Sequence, residues 1–201
     1  MRRSFVLLVL FSLISVSGFA DTKKANEKIR RAETEFARGN VNGAEKNLRQ
    51  ALEEDPNSID AHLALADLLS QTRRNFQAAQ EYTKALELDA SQKKLTEAQR
   101  RSAIDQQAIS YALGGELKRA RDIYLEALKS DGDYAMYNYN LACVYAEMND
   151  LNSALPYLRK SWEHRDTLPS GVKFPDPRKD DSFKAFWNDA RFQKAVSDIV
   201  L

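Results

Sequence analysis

An alanine recurs along this chain of 201 residues at a spacing that leaves few folds open. Ala51, Ala85 and Ala127, with Ser161 in the fourth place, follow one another at steps of 34, 42 and 34 residues. Seven residues before each stands another alanine, Ala44, Ala78, Ala120 and Ala154, and nineteen before each stands a third, Ala32, Ala66, Ala108 and Ala142. Three before each anchor comes a large side chain: Leu48, Tyr82, Tyr124 and Leu158. Spacings of three, four and seven residues place side chains on one face of an α-helix. Small residues on such a face let neighbouring helices approach closely, and the large one fills the gap between successive pairs.

The interruptions fit the same scheme. Gly39, Gly115 and the pair Asn149–Asp150 lie where the first helix of each pair must stop and the chain reverse, a place that favours residues tolerant of a left-handed backbone. The pattern predicts paired helices near 24–38 and 41–54, 58–71 and 75–88, 96–113 and 116–129, and 133–147 and 151–163. The longer step carries eight extra residues, Lys93 to Arg100, and Thr96 with Gln99 three later is a capping-box start. These residues are therefore expected to lengthen the first helix of the third pair; a surface loop is the alternative, and a solenoid tolerates either. Gly114 and Gly115 become a helix terminator on this reading. A phosphate-gripping loop needs a strand before it and a Lys-Ser or Lys-Thr after it, and the sequence continues "GGELKRA".

In these registers, and in "NLACVYAEMNDLNSALPYLRKSW" at 140–162, the chain resembles the tetratricopeptide repeat family. The resemblance covers about residues 25–168 as four repeats, about 25–58, 59–92, 101–134 and 135–168, with an insertion near 93–100. Gly39 and Pro56 match the turn glycine and terminal proline of the family, whereas Arg73 and Ala90 in repeat two, and Asn149 and Ser161 in repeat four, depart from it. The resemblance implies an all-α fold, a right-handed superhelical solenoid of four helix-turn-helix repeats. Residues 169–201 then read as a connecting segment and C-terminal capping helices. "DSFKAFWNDARFQKAVSDIV" is similar to the tail that often closes bacterial members, and Phe183, Phe186, Trp187 and Phe192 are expected to cover the apolar end of repeat four, which an array must cap to stay soluble. Docking of a partner on those aromatics is the alternative.

The N-terminus reads as a signal for export. Arg2 and Arg3 precede an apolar run from Phe5 to Val16, and small residues at Gly18 and Ala20 close it, so cleavage is expected after Ala20. The rival is an uncleaved anchor, but a run of 12 residues falls short of the roughly 18 needed to span hydrocarbon. Loss of Arg2 and Arg3 takes the formal charge from +1 to −1, a balance that argues against a nucleic-acid footprint. The expected location is the periplasm or the exterior, with no stable membrane insertion after cleavage. Cys143 is the lone cysteine, so no internal disulfide supports the fold.

Chemistry has few candidates. His62 and His164 are the only histidines, and neither has metal-ligand spacing with another ligating residue. No catalytic residue, cofactor or metal is expected, and Cys143 reads as inert packing. The family resemblance assigns a concave groove to the first helices of successive repeats. Carried onto this sequence, its positions include Glu33, Phe36, Asp60, Asp67, Asp105, Ile109, Met136, Tyr139, Cys143 and Glu147. Of the 20 positions so assigned, five are acids and none is a base, so the groove is expected to suit a protein segment bearing basic and apolar side chains. The family's clamp for a terminal carboxylate is not implied, because its positions carry Ile29, Glu33, Ala64, Ser102 and Gln106. The expected function is a non-catalytic interaction module or assembly scaffold of the cell envelope. The alternatives are a self-associating adaptor built on the C-terminal aromatics and, further off, an accessory subunit of an enzyme.

Overall fold

The computed structural model describes residues 20–199, so the expected signal segment, apart from Ala20, lies outside the described residues. Eight α-helices follow one another in pairs: α1 (Ala20–Ala37) and α2 (Val41–Glu54), α3 (Ile59–Gln71) and α4 (Asn75–Gln92), α5 (Glu97–Leu113) and α6 (Leu117–Ser130), α7 (Ala135–Glu147) and α8 (Leu151–Glu163). Two 3-10 helices, at Arg165–Thr167 and Asp181–Phe186, and a last helix, α9 (Ala190–Ser197), complete the described residues. There is no strand among the described residues.

The recurrent alanines are the contact surface of these helices. All eight at the two earlier positions of the register are buried, as are Ala51, Ala85 and Ser161, while Ala127 is half-buried. The large residue before each anchor is buried in all four places. Each pair turns in the same way. Gly39 (φ 79°), Arg73 (φ 61°), Gly115 (φ 88°) and Asn149 (φ 62°) occupy the left-handed region at equivalent positions. In every case that residue's N–H and the next bond back to the end of the first helix, as Gly39 to Phe36 O at 2.8 Å and Asn40 to Glu35 O at 2.9 Å. This Schellman arrangement satisfies the last carbonyls of the helix.

The insertion is divided differently from the sequence expectation. α4 runs on to Gln92, past its expected end, and α5 begins at Glu97, so residues 97–100 lengthen α5 as expected while residues 93–96 form a short link. Asp89 explains the link. Its carboxylate, 1% exposed, accepts the Leu95 N–H at 2.8 Å and Arg100 Nε at 2.8 Å, drawing the start of α5 back against the end of α4. The capping box forms as expected, with Thr96 N–H donating to Gln99 Oε1 at 2.9 Å and Gln99 N–H to Thr96 Oγ1 at 3.3 Å.

Two compact units divide within α5, after Ser110. In the first, α1 and α2 pack on α3 and α4 through Ala32, Ala44, Leu48, Leu65, Ala66, Ala78 and Tyr82. The outer side of α1 is built for water: where α3 has buried Ala61, Leu65 and Leu68, α1 has Glu27, Arg31 and Thr34 at the equivalent places, lining a polar recess with Arg30, Glu35 and Arg38. The second unit holds α6 to α9. Its core joins Tyr139, Ala142 and Cys143 of α7 and Leu151, Ala154 and Leu158 of α8 to Phe183, Phe192, Ala195, Val196 and Ile199. The terminal aromatics thus cover the last helix pair.

Candidate interaction surface

Within the first unit, α1, α3 and α5 carry the expected groove residues, and their environments differ. Glu33 is exposed, and Phe36, one turn further along α1, is half-buried against the core that also holds Leu63 of α3. Asp60 and Asp67 lie on α3, two turns apart, both half-buried. Burial pushes the Asp60 carboxyl above the usual carboxylate range, with Lys94 opposing the shift. Burial pushes Asp67 further, up to about 6, although the Tyr82 hydroxyl of α4 donates a hydrogen bond to it and holds the shift back. No salt bridge to Asp67 exists among the described residues. It is a half-dry carboxylate that a cation from outside would stabilise.

The remaining expected residues are not surface. Asp105 and Ile109 of α5 are buried, and so are Met136 and Tyr139 of α7. In the second unit the face of α7 that should line the groove is occupied by the chain itself. Tyr139 Oη donates to Asp180 Oδ2 at 2.9 Å, Cys143 Sγ donates to the same oxygen at 3.8 Å, and Ser182 Oγ donates to Glu147 Oε1 at 3.3 Å. Burial raises the Cys143 thiol well above its usual range and also raises Asp180. An un-ionised thiol in such a place is a poor nucleophile, in keeping with Cys143 as packing. The sequence reading missed Asp180. The "DDS" at 180–182 marks it as a helix N-cap, which it is, bonding Ser182 N–H at 3.0 Å, but nothing local ties it to a tyrosine 41 positions earlier.

The histidines lie in different units and do different things. His62 is buried, with Nδ1 2.7 Å from Glu81 Oε2 and Nε2 3.1 Å from the Pro56 carbonyl, so it ties α3 to α4. His164 stands 3.4 Å from Asp133 Oδ1 on the surface. Among the described residues no three ligating side chains come together to hold a metal, and no helix is long and apolar enough to cross a membrane.

Repeated helix pairs, a common turn and buried alanines in register define the class: a helical repeat protein. Two tetratricopeptide repeat models match, one over residues 35–100 and the other over 136–162, so the chain carries tetratricopeptide repeats. Among solved structures it is similar to the protein MamA, at 20% identity and a TM-score of 0.65 over 87% of this chain and 91% of that one. Another MamA structure aligns at 16% identity and a TM-score of 0.60, over 71% and 78% of the two chains. TTC0263, a thermophilic tetratricopeptide repeat protein of Thermus thermophilus, aligns at 16% identity and a TM-score of 0.53, over 86% and 87%. At such identities the likeness is one of fold. No curated protein matches the chain by sequence.

Proposed function

We propose that the chain is a non-catalytic protein-interaction module, an assembly scaffold of the cell envelope, that takes a partner segment with basic and apolar side chains against α1 and α3. The observation that carries this reading is Asp67, a half-buried carboxylate raised to about 6 with only the Tyr82 hydroxyl against it. A lysine or arginine docking there would recover the cost of burying the charge. Glu33 on the neighbouring helix extends the acidic field, and Phe36 supplies an apolar contact beside it. Helices fixed by packing present these groups with little ordering cost on their own side. Residues 1–20 direct export and are removed after Ala20, placing the module in the periplasm or outside the cell; intact mass of the exported product tests that step.

The binding reading is tested by neutralising the surface. In Glu33→Gln/Asp60→Asn/Asp67→Asn, crosslinked partners captured from the envelope fraction by the unaltered chain should be lost, or bind about tenfold more weakly with a flatter salt dependence. The same partners at the same affinity and salt dependence would show that another surface binds.

A further inference from the structure

Residues 174–183 do to one face of α7 what a bound peptide would do. Phe174 sets its ring edge-on to Tyr139, 5.6 Å between centroids, and to Trp162 of α8 at 5.1 Å. Phe183 is also edge-on to Tyr139, at 6.2 Å, and stacks on Phe192 of α9 at 5.4 Å. Between the two phenylalanines, Asp180 gathers the Tyr139 hydroxyl, the Cys143 thiol and the Ser182 N–H on one buried carboxylate. The chain from Leu168 to Asp180 contains no helix. Its backbone hydrogen bonds, such as Val172 N–H to Pro169 O and Lys179 N–H to Asp176 O, are local turns, and the side chains of Phe174 and Asp180 tie this strap to α7 and α8.

Its polar anchor is also poorly compensated. Among the described residues no salt bridge reaches Asp180, the nearby Glu147 is a second acid, and the cations Arg178 and Lys179 are turned to Asp176. A buried carboxylate without a cation is a weak point beside helices held by continuous apolar packing.

We infer that residues 168–199 form a clasp that opens as one unit while α6 to α8 stay folded. Opening presents Tyr139, Cys143 and Glu147 to an incoming segment of the same make-up, aromatic residues flanking an acid. Stacking of Phe183 on Phe192 makes the strap and α9 leave together. The face so exposed is the one that the family resemblance gives to the partner groove in repeat four, and the closed clasp withholds it. Nothing in this inference uses Glu33, Asp60 or Asp67, so it stands or falls apart from the docking surface on α1 and α3.

Cys143, 1% exposed beneath the clasp and the only cysteine, is its natural reporter. The test is labelling of the full chain with a thiol reagent over a range of low denaturant concentrations, alongside helix content by circular dichroism. The clasp predicts labelling at least about tenfold faster than global unfolding, with a denaturant slope that is measurable but clearly smaller than that of global unfolding, because only part of the buried surface is exposed. Asp180→Ala, which removes the shared acceptor, should speed labelling about tenfold further with helix content retained, and Phe174→Ala should act likewise if the first variant does not fold. A synthetic peptide of residues 172–186 should bind the Asp180→Ala chain more tightly than the unaltered one. Labelling of the unaltered chain that waits for global unfolding at every denaturant concentration overturns the clasp, and a peptide that binds neither chain overturns its role as a covered binding face.

Discussion

Arg73 holds φ 61° at a turn where two of the other three repeats use glycine and the third asparagine. A left-handed backbone costs a side chain with a Cβ about 1 kcal/mol, so Arg73→Gly should raise stability by about that much, read as a higher denaturant midpoint with an unchanged slope. An unchanged midpoint would mean that contacts of the Arg73 side chain offset the strain. Asp67 makes a second prediction, in pH. Its carboxyl sits at about 6 in the folded chain against an ordinary 3.8, so between those values the native state keeps a proton that the unfolded chain has released. Its contribution therefore favours the fold most at low pH, falls as pH rises from about 4 to about 6, and is flat above. Asp67→Asn keeps an acceptor for Tyr82 and should raise stability at pH 7 by up to about 2–3 kcal/mol while removing that slope. Both residues were visible in the sequence, Arg73 as a departure from the turn pattern and Asp67 as a groove acid. Their energetics were not, because a shift in pKa depends on what packs over the carboxylate.

At the scale of elements, the pairing of helices was legible because the residues at close helix contacts must be small, and small residues recur in register. The link between α4 and α5 was legible only in part. The Thr96–Gln99 box is local and marks the start of α5, whereas the overrun of α4 to Gln92 depends on Asp89 reaching forward to Leu95 and Arg100. Thr96→Ala should cost about 1 kcal/mol through the lost cap. Asp89→Ala should cost more, about 2–3 kcal/mol, since it leaves the buried Leu95 N–H without its acceptor and takes from Arg100 its only carboxylate among the described residues, leaving it the Leu95 carbonyl. Thermal unfolding of the two variants checks the order; equal losses would mean that the Asp89 network adds nothing beyond the cap. The face of α7 was the least legible element. Repeat register assigns Met136 and Tyr139 to the groove side of the helix, but only the folded chain shows its own terminal segment lying over Tyr139.

Across the whole molecule, the two ends of the repeat array are finished by opposite means. α1 turns charged and polar side chains outward where α3 has alanine and leucine, and the last pair is covered by Phe183, Phe192 and Ile199. The C-terminal aromatics were readable as a cap because a repeat cannot leave its last apolar face in water. The polar face of α1 could have been read the same way by setting Glu27, Arg31 and Thr34 beside Ala61, Leu65 and Leu68. Between these ends, the surface assigned to a partner is that of α1 and α3, and site-specific photo-crosslinking tests it most directly. A photo-reactive residue replaces Ser70, which shares its face of α3 with Leu63 and Asp67, or Lys46, which is exposed on α2. The account predicts a partner adduct from position 70 and none from position 46; an adduct from position 46 alone would contradict it.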